Sequence, residues 1–167
     1  GNSVKTGVSY ASWNINDQRM DTAALQKADH IIHLAGAGVV DKRWSTQYKK
    51  EILDSRTKSS ELLINSMNKI DNKIKTLVSA SAIGWYGPDT TSSQQYGFTE
   101  DALPNNDFLG TTCRLWEESV DHASSLGKRV VKLRTGIVLS RHGGALDEFK
   151  KPLRFGTAAI LSSGKQI

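Results

Sequence analysis

His30-Ile31-Ile32-His33-Leu34-Ala35-Gly36 decides the fold. An apolar run this short, closed by a glycine, reads as a strand buried in a sheet. His30 and His33 are three apart, so on a strand they point to opposite faces and make no metal pair. Downstream, Ser45 or Thr46 can cap a long helix running to about Asn68. Its apolar positions Tyr48, Ile52, Leu62, Leu63, Met67 and Ile70 recur near helical spacing. Lys75 to Ser81 is the next strand, and Gly84 to Asn106 is loop-like, rich in Gly, Ser, Thr and Pro. Asp107 caps a second helix, Phe108 to Ser125, with Phe108, Leu115, Trp116, Val120 and Ala123 inward and Gly127 as its stop. Arg129 to Leu133 returns to strand, followed by Gly136 to Leu139. Upstream, Val4 to Trp13 reads as a weak strand and Asp21 to Lys27 as a short helical turn with Asp21 as its cap.

Strands that alternate with helices build βαβ units and a parallel sheet, an α/β doubly wound architecture. In such sheets a ligand sits outside the carboxyl ends of the strands. Three segments fall there: Gly36 to Arg43, Ser79 to Asn106, and Arg134 to Gly144. The middle one exceeds the length of a plain connection.

Composition narrows the classes. The chain has 167 residues, 38% hydrophobic and 23% charged, which suits one globular domain rather than a disordered segment. The net charge of +5 is scattered and contains no basic run. It fits a solvated surface, an anionic small ligand or, least directly, nucleic acid. A nucleic-acid partner is therefore not expected. Cys113 is the one cysteine, so no internal disulfide forms and a reducing, cytoplasmic setting is expected. No apolar stretch approaches a membrane span, so no membrane partner is expected.

The chemistry-bearing residues lie at the strand ends. Leu34-Ala35-Gly36-Ala37 offers small residues where a ligand can approach the backbone, or simply a tight turn. Ser79-Ala80-Ser81-Ala82-Ile83-Gly84-Trp85-Tyr86-Gly87 puts hydroxyls at a strand end, able to hydrogen-bond a substrate oxygen during hydride or proton transfer, or simply to pack. Arg134 could reach a phosphate or carboxylate, or pair with a surface acid. No ligand cluster of metal spacing occurs, so no metal is expected. Neither Gly-x-Gly-x-x-Gly nor a phosphate-binding P-loop is present.

These motifs, in this order and together with Lys42-Arg43-Trp44, Asp54-Ser55-Arg56, Asp107-Phe108-Leu109, Trp116-Glu117, Arg134 to Ser140 and Gly143-Gly144-Ala145-Leu146, resemble an atypical short-chain dehydrogenase/reductase group. That group is labelled epimerase family protein, of the NAD-dependent epimerase/dehydratase and sugar-nucleotide epimerase kind. The resemblance covers nearly the whole chain. It implies a Rossmann-like sheet binding NADP or NAD, with the Gly-rich phosphate loop and the first two strands preceding residue 1. The chain then reads as an internal segment. Residues 1–142 would be a partial NAD(P)-binding domain and 143–167 the start of a C-terminal substrate region. Cofactor binding by this segment alone is not expected to be complete, because pyrophosphate sits at the absent helix N-terminus. An apolar sheet edge left by the absent strands would favour pairing between copies, hence a homodimer.

The resemblance also implies roles. Leu34, Ala35, Gly36, Ala37, Arg56, Ser79, Arg134, Thr135, Gly136, Ile137 and Val138 would contact the cofactor. Ser81 and Tyr86 would be catalytic on a small-molecule, nucleotide-linked or sugar-like substrate. The usual catalytic Ser or Thr position falls on Ala82, one residue from Ser81. The usual Tyr-x-x-x-Lys pair is missing: Leu109 and Cys113 stand at its two places, and neither can do acid–base work. Two functions follow, an NAD(P)-dependent oxidoreductase or epimerase and a non-catalytic NADP(H)-binding sensor or scaffold. A nucleic-acid binder would rest on charge alone.

Overall fold

The computed structural model describes residues 7–140, 146 and 150–157. The elements run β1 (Trp13–Asn14), β2 (Arg19–Met20), α1 (Thr22–Lys27), β3 (His30–His33), α2 (Thr46–Lys69), β4 (Thr76–Ala82), α3 (Thr91–Tyr96), α4 (Phe108–Ser125) and β5 (Arg129–Thr135). Single 3-10 turns occur at Ile83–Trp85 and Pro152–Phe155. β3, β4 and β5 form a parallel sheet with β4 in the middle. His30 stands opposite Thr76 and His33 opposite Ser79. The α/β expectation holds, with α2 and α4 as the two crossovers.

The chain divides into two compact units. One comprises residues 1–80 and 115–133, the other residues 81–114 and 134–167. This partition differs from a boundary at residue 142. Most of the Gly143 to Ile167 region lies outside the described residues.

The core of the first unit forms where α2 and the second half of α4 bury their apolar stripes. Leu25, Leu63, Met67, Ile74, Leu77, Trp116, Val120 and Ala123 make one cluster. Local chemistry sets the helix ends. Ser45 accepts from the Tyr48 amide at 3.1 Å and starts α2, and Asp21 caps α1 through the amides of Ala23 and Ala24. Gly127, at φ +71°, ends α4 in a Schellman motif. There Gly127 N–H donates to the Ser124 carbonyl and Lys128 N–H to that of Ala123.

The weak strand expected over Val4 to Trp13 is corrected. Residues 7–12 form no strand, and only Trp13–Asn14 pairs, antiparallel, with Arg19–Met20. Asn14 Oδ1 accepts from the amides of Asn16 and Asp17, which reverses the chain at once. β-branched and aromatic residues favour a strand where they can pack on a partner, yet Val8 and Tyr10 are exposed.

In the second unit, Asp107 Oδ1 accepts from the Gly110 amide at 2.7 Å and so begins α4 as its sequence indicated. The segment 84–106 is not all loop. Thr90 and Ser93 form a reciprocal capping box that starts α3, although α3 buries none of its residues. Asn105 N–H donates to the Trp85 carbonyl at 2.7 Å, and Trp85 Nε1 donates to that of Ala102 at 2.8 Å. Among the described residues no helix is long and apolar enough to cross a membrane. Among them too, no cluster of three or more His, Cys, Asp or Glu could hold a metal ion.

Candidate functional site

In the first unit the site begins where β3 ends. The chain beyond His33 turns away from the sheet and is held by side chains of α2. Ala37 N–H donates to Ser55 Oγ at 2.9 Å, and Arg56 Nη1 donates to the Ala37 carbonyl at 3.0 Å. Arg56 Nη1 also donates to the Ile52 carbonyl at 2.9 Å, and the guanidinium lies 5.0 Å from the Trp116 ring. The Tyr48 hydroxyl donates to the Gly38 carbonyl. Burial, helped by the Asp41 and Glu51 carboxylates, holds the Tyr48 phenol above its usual range and so keeps it a donor. Gly36 is closely approached: a Cβ there would stand 3.0 Å from Arg56 Cζ, so the guanidinium would have to shift. Leu34 projects outward and is 69% exposed. The loop backbone is thus fixed by its neighbours, while its outer side stays open.

Arg56 was expected to contact the cofactor. The structure places its guanidinium against two backbone carbonyls, where it ties the loop to α2. Ser79 is fully buried, with its hydroxyl donating to the Ala80 carbonyl. It sits behind the end of β4, not on its surface.

A cleft of about 500 Å³ adjoins this loop through Ser55, lined also by Trp13, Asn14, Asn16, Asp54 and Lys58. Sequence offered Trp13 as a strand residue and Asp54-Ser55 as part of a family motif, and gave Asn14, Asn16 and Lys58 no role. Their only signal was the Asn14-Ile15-Asn16-Asp17 turn chemistry, which reveals a reversal but not a cavity. Hydrogen bonds from Lys50 and Lys58 hold the Asp54 carboxyl below its usual range. The cleft therefore carries two carboxylates, Asp54 and Glu51, with Lys58, two asparagine side chains and an indole.

The second unit holds the remaining residues. Ser81 is only 2% exposed, and its carbonyl accepts from Thr135 Oγ1 at 3.1 Å. Tyr86 is half-buried and stacks on Phe98, with ring centroids 4.8 Å apart. Arg134 Nη1 donates to the Tyr86 hydroxyl at 3.2 Å and to the Glu100 carbonyl at 2.9 Å. The Arg134 guanidinium lies 3.8 Å from the Trp85 ring. Ile137 and Val138 are exposed, at 65% and 71%. A Cβ on Gly136 would meet Ile83 only at 3.9 Å, so nothing there demands glycine for space. Cys113 Sγ faces the Ala82 carbonyl at 3.7 Å, and Leu109 packs on Gly84. Both are structural contacts, and no acid–base pair forms there.

The model of the NAD dependent epimerase/dehydratase family matches residues 5–144. The chain belongs to that family. An epimerase family protein of Mycobacterium bovis is 34% identical over 154 residues, which cover 92% of this chain and 49% of that protein. The chain thus spans about half the length of the curated relatives it matches. Among solved structures, a human epimerase family protein with NADPH aligns at a TM-score of 0.71 and 27% identity, over 87% of this chain and 50% of that one. A nucleoside-diphosphate sugar epimerase from Corynebacterium glutamicum aligns at 0.71 and 31% identity, over 98% and 32%. The Rossmann-like fold of this epimerase group is therefore the fold of this family member.

Proposed function

We propose that this family member holds NADP(H) or NAD(H) and acts as an oxidoreductase or epimerase on a small or nucleotide-linked, sugar-like substrate. One observation carries the proposal: the backbone at Gly36–Ala37 is pinned from behind by Ser55 and Arg56, beside a cleft whose carboxylates could accept from ribose hydroxyls. A loop fixed before binding loses little freedom on binding. The names of the solved relatives point the same way, one with NADPH and one a sugar-nucleotide epimerase.

The nicotinamide supplies hydride exchange with a substrate carbon. The chain's residues would position and protonate. In the first unit Leu34, Ala35, Gly36 and Ala37 offer the cofactor an open backbone, with Arg56 and Ser79 as supports behind it. In the second unit Thr135, Gly136, Ile137 and Val138 offer an apolar strand end. Tyr86 is the substrate-side hydroxyl, and Ser81 is buried with its carbonyl bonded to Thr135. Titration of the full-length protein with NADPH and with NADH, read by nicotinamide fluorescence, tests the proposal. Saturable binding below about millimolar concentration is expected for a specific cofactor, and its absence for both would sink the proposal.

A second reading, a cofactor-binding sensor or scaffold without turnover, is favoured by one observation. Leu109 and Cys113 occupy the places where the family's tyrosine and lysine would stand, and both are packed. A carbonyl and alcohol substrate screen at the nicotinamide absorbance separates the two: cofactor binding with no turnover of any compound favours the sensor.

A further inference from the structure

The contact between Arg134 and Tyr86 has a direction. A guanidinium has five N–H donors and no acceptor. In the 3.2 Å contact the Tyr86 oxygen must therefore accept from Arg134 Nη1. The phenolic proton is not spent in this bond, and no acceptor among the described residues takes it. Arg134 cannot easily turn elsewhere. Its Cζ lies over the Trp85 ring at 3.8 Å, its Nη1 also donates to the Glu100 carbonyl at 2.9 Å, and its Cζ stands 5.2 Å from the Tyr86 ring. Phe98, stacked on Tyr86 with ring centroids 4.8 Å apart, fixes the ring plane.

We infer that Arg134 is a positioning residue for Tyr86 rather than a cofactor-phosphate ligand. It holds the phenol as an acceptor on the protein side, so that the hydroxyl proton points outward as a donor to a substrate oxygen. The inference rests on Tyr86 being the substrate-side hydroxyl proposed above. It gives this chain a fixed cation beside a tyrosine hydroxyl although Leu109 and Cys113 supply neither partner. Here the cation comes from the end of β5 and the hydroxyl from the turn after β4. A planar guanidinium suits this place because it stacks on an indole and hydrogen-bonds in its own plane together, which a lysine ammonium does not. The proton step is balanced simply: a substrate oxygen that gains negative charge takes the Tyr86 proton, and the phenolate left behind faces the Arg134 charge until solvent returns a proton.

The test is the Raman ring doublet of tyrosine, whose intensity ratio separates phenols that accept a hydrogen bond from phenols that donate one. Subtracting the Tyr86→Phe spectrum from wild type isolates Tyr86 from Tyr10, Tyr48 and Tyr96. Wild type is expected to show a phenol that accepts from Arg134 while it donates outward to solvent, Arg134→Met a shift of the doublet toward the donating side, and Arg134→Lys a smaller shift. A donor-only signature in wild type, or no change in Arg134→Met, would overturn the inference. If Arg134→Met does not fold, the wild-type signature alone decides. NADPH affinity is read on the same wild-type sample. Its absence would count against the proposed function and leave the Raman result standing, so the two failures are separable.

Discussion

His33 Nε2 lies 3.1 Å from Ser59 Oγ, inside the first unit and out of reach of solvent. The Ser59 hydroxyl gives its single proton to the Arg56 carbonyl at 2.9 Å. Ser60 Oγ stands 3.4 Å from the same His33 nitrogen, so two buried hydroxyls face the imidazole. Burial pushes the His33 pKa down to about 4. The unfolded chain, near 6.5, takes up a proton first. The stabilising effect of a neutral His33 is thus complete above about pH 6.5 and is lost as pH falls toward about 4, by up to about 3 kcal/mol. Urea unfolding across that window should show a steeper loss in wild type than in His33→Gln. Parallel curves for the two proteins would show that His33 does not contribute.

Two glycines of α4 should respond to alanine for different reasons. A Cβ on Gly110 would fall 2.2 Å from the Asn105 backbone oxygen, which cannot rotate away. Gly110→Ala should cost about 1–3 kcal/mol through overpacking, against a helix-propensity gain of about 1 kcal/mol. Gly127 has open space around its Cα but sits at φ +71°. Gly127→Ala should cost about 1–2 kcal/mol from backbone strain alone. Thermal unfolding separates the origins, because Gly127→Asn should recover part of its loss whereas Gly110→Ser should recover none.

The parts of the fold that local chemistry dictates were legible in the sequence. Ser45, Asp107 and Gly127 set helix ends by capping and by positive φ, effects that act over four or five residues. The alternation of β3, α2, β4, α4 and β5 followed from hydrophobic period alone. What a side chain touches across the chain was not legible. Arg56, inside α2, and Arg134, at the end of β5, were both offered by sequence as cofactor contacts. Only the fold brings Arg56 to Ala37, nineteen residues away, and Arg134 to Tyr86, forty-eight away. The same holds for Ser79 and Ser81. Period 2 puts them on one face of β4, but only packing shows that face to be buried. The Asn14–Asn16 side of the cleft was hidden for the same reason, since its other wall is α2.

If the Gly36–Ala37 loop is held ready for a cofactor, loosening it should weaken binding without removing any ligand contact. Ser55→Ala leaves the half-buried Ala37 N–H without its acceptor, a loss of about 1 kcal/mol. NADPH affinity should fall about fivefold, the factor equivalent to that energy. Thr57→Ala is the control, because its hydroxyl bonds only to Leu53 within α2. Hydrogen exchange of the Ala37 amide should quicken in Ser55→Ala and not in Thr57→Ala. Equal affinities for the two variants would mean that the loop needs no such support.

Two lysine-to-methionine changes weigh burial against exposure in ion pairing. Lys73 pairs with Asp29 at 3.3 Å, and both side chains are more than half exposed. Exposed pairs contribute at most about 1 kcal/mol, so Lys73→Met should change stability by less than that. Lys132 lies 2.9 Å from Asp121 and 3.8 Å from Glu117, whose side chain is only 4% exposed. Removing Lys132 leaves a buried carboxylate with one cation fewer, and desolvation then works against its charge. Glu117 keeps a further partner, which moderates the loss. Lys132→Met should therefore cost about 1–3 kcal/mol, well above the exposed pair but short of an orphaned buried charge. Raising the salt concentration should shrink the Lys73→Met effect and leave that of Lys132→Met nearly unchanged, because ions screen the exposed pair alone. Denaturant midpoints at low and high salt check both statements, and equal losses for the two variants would contradict the argument from burial.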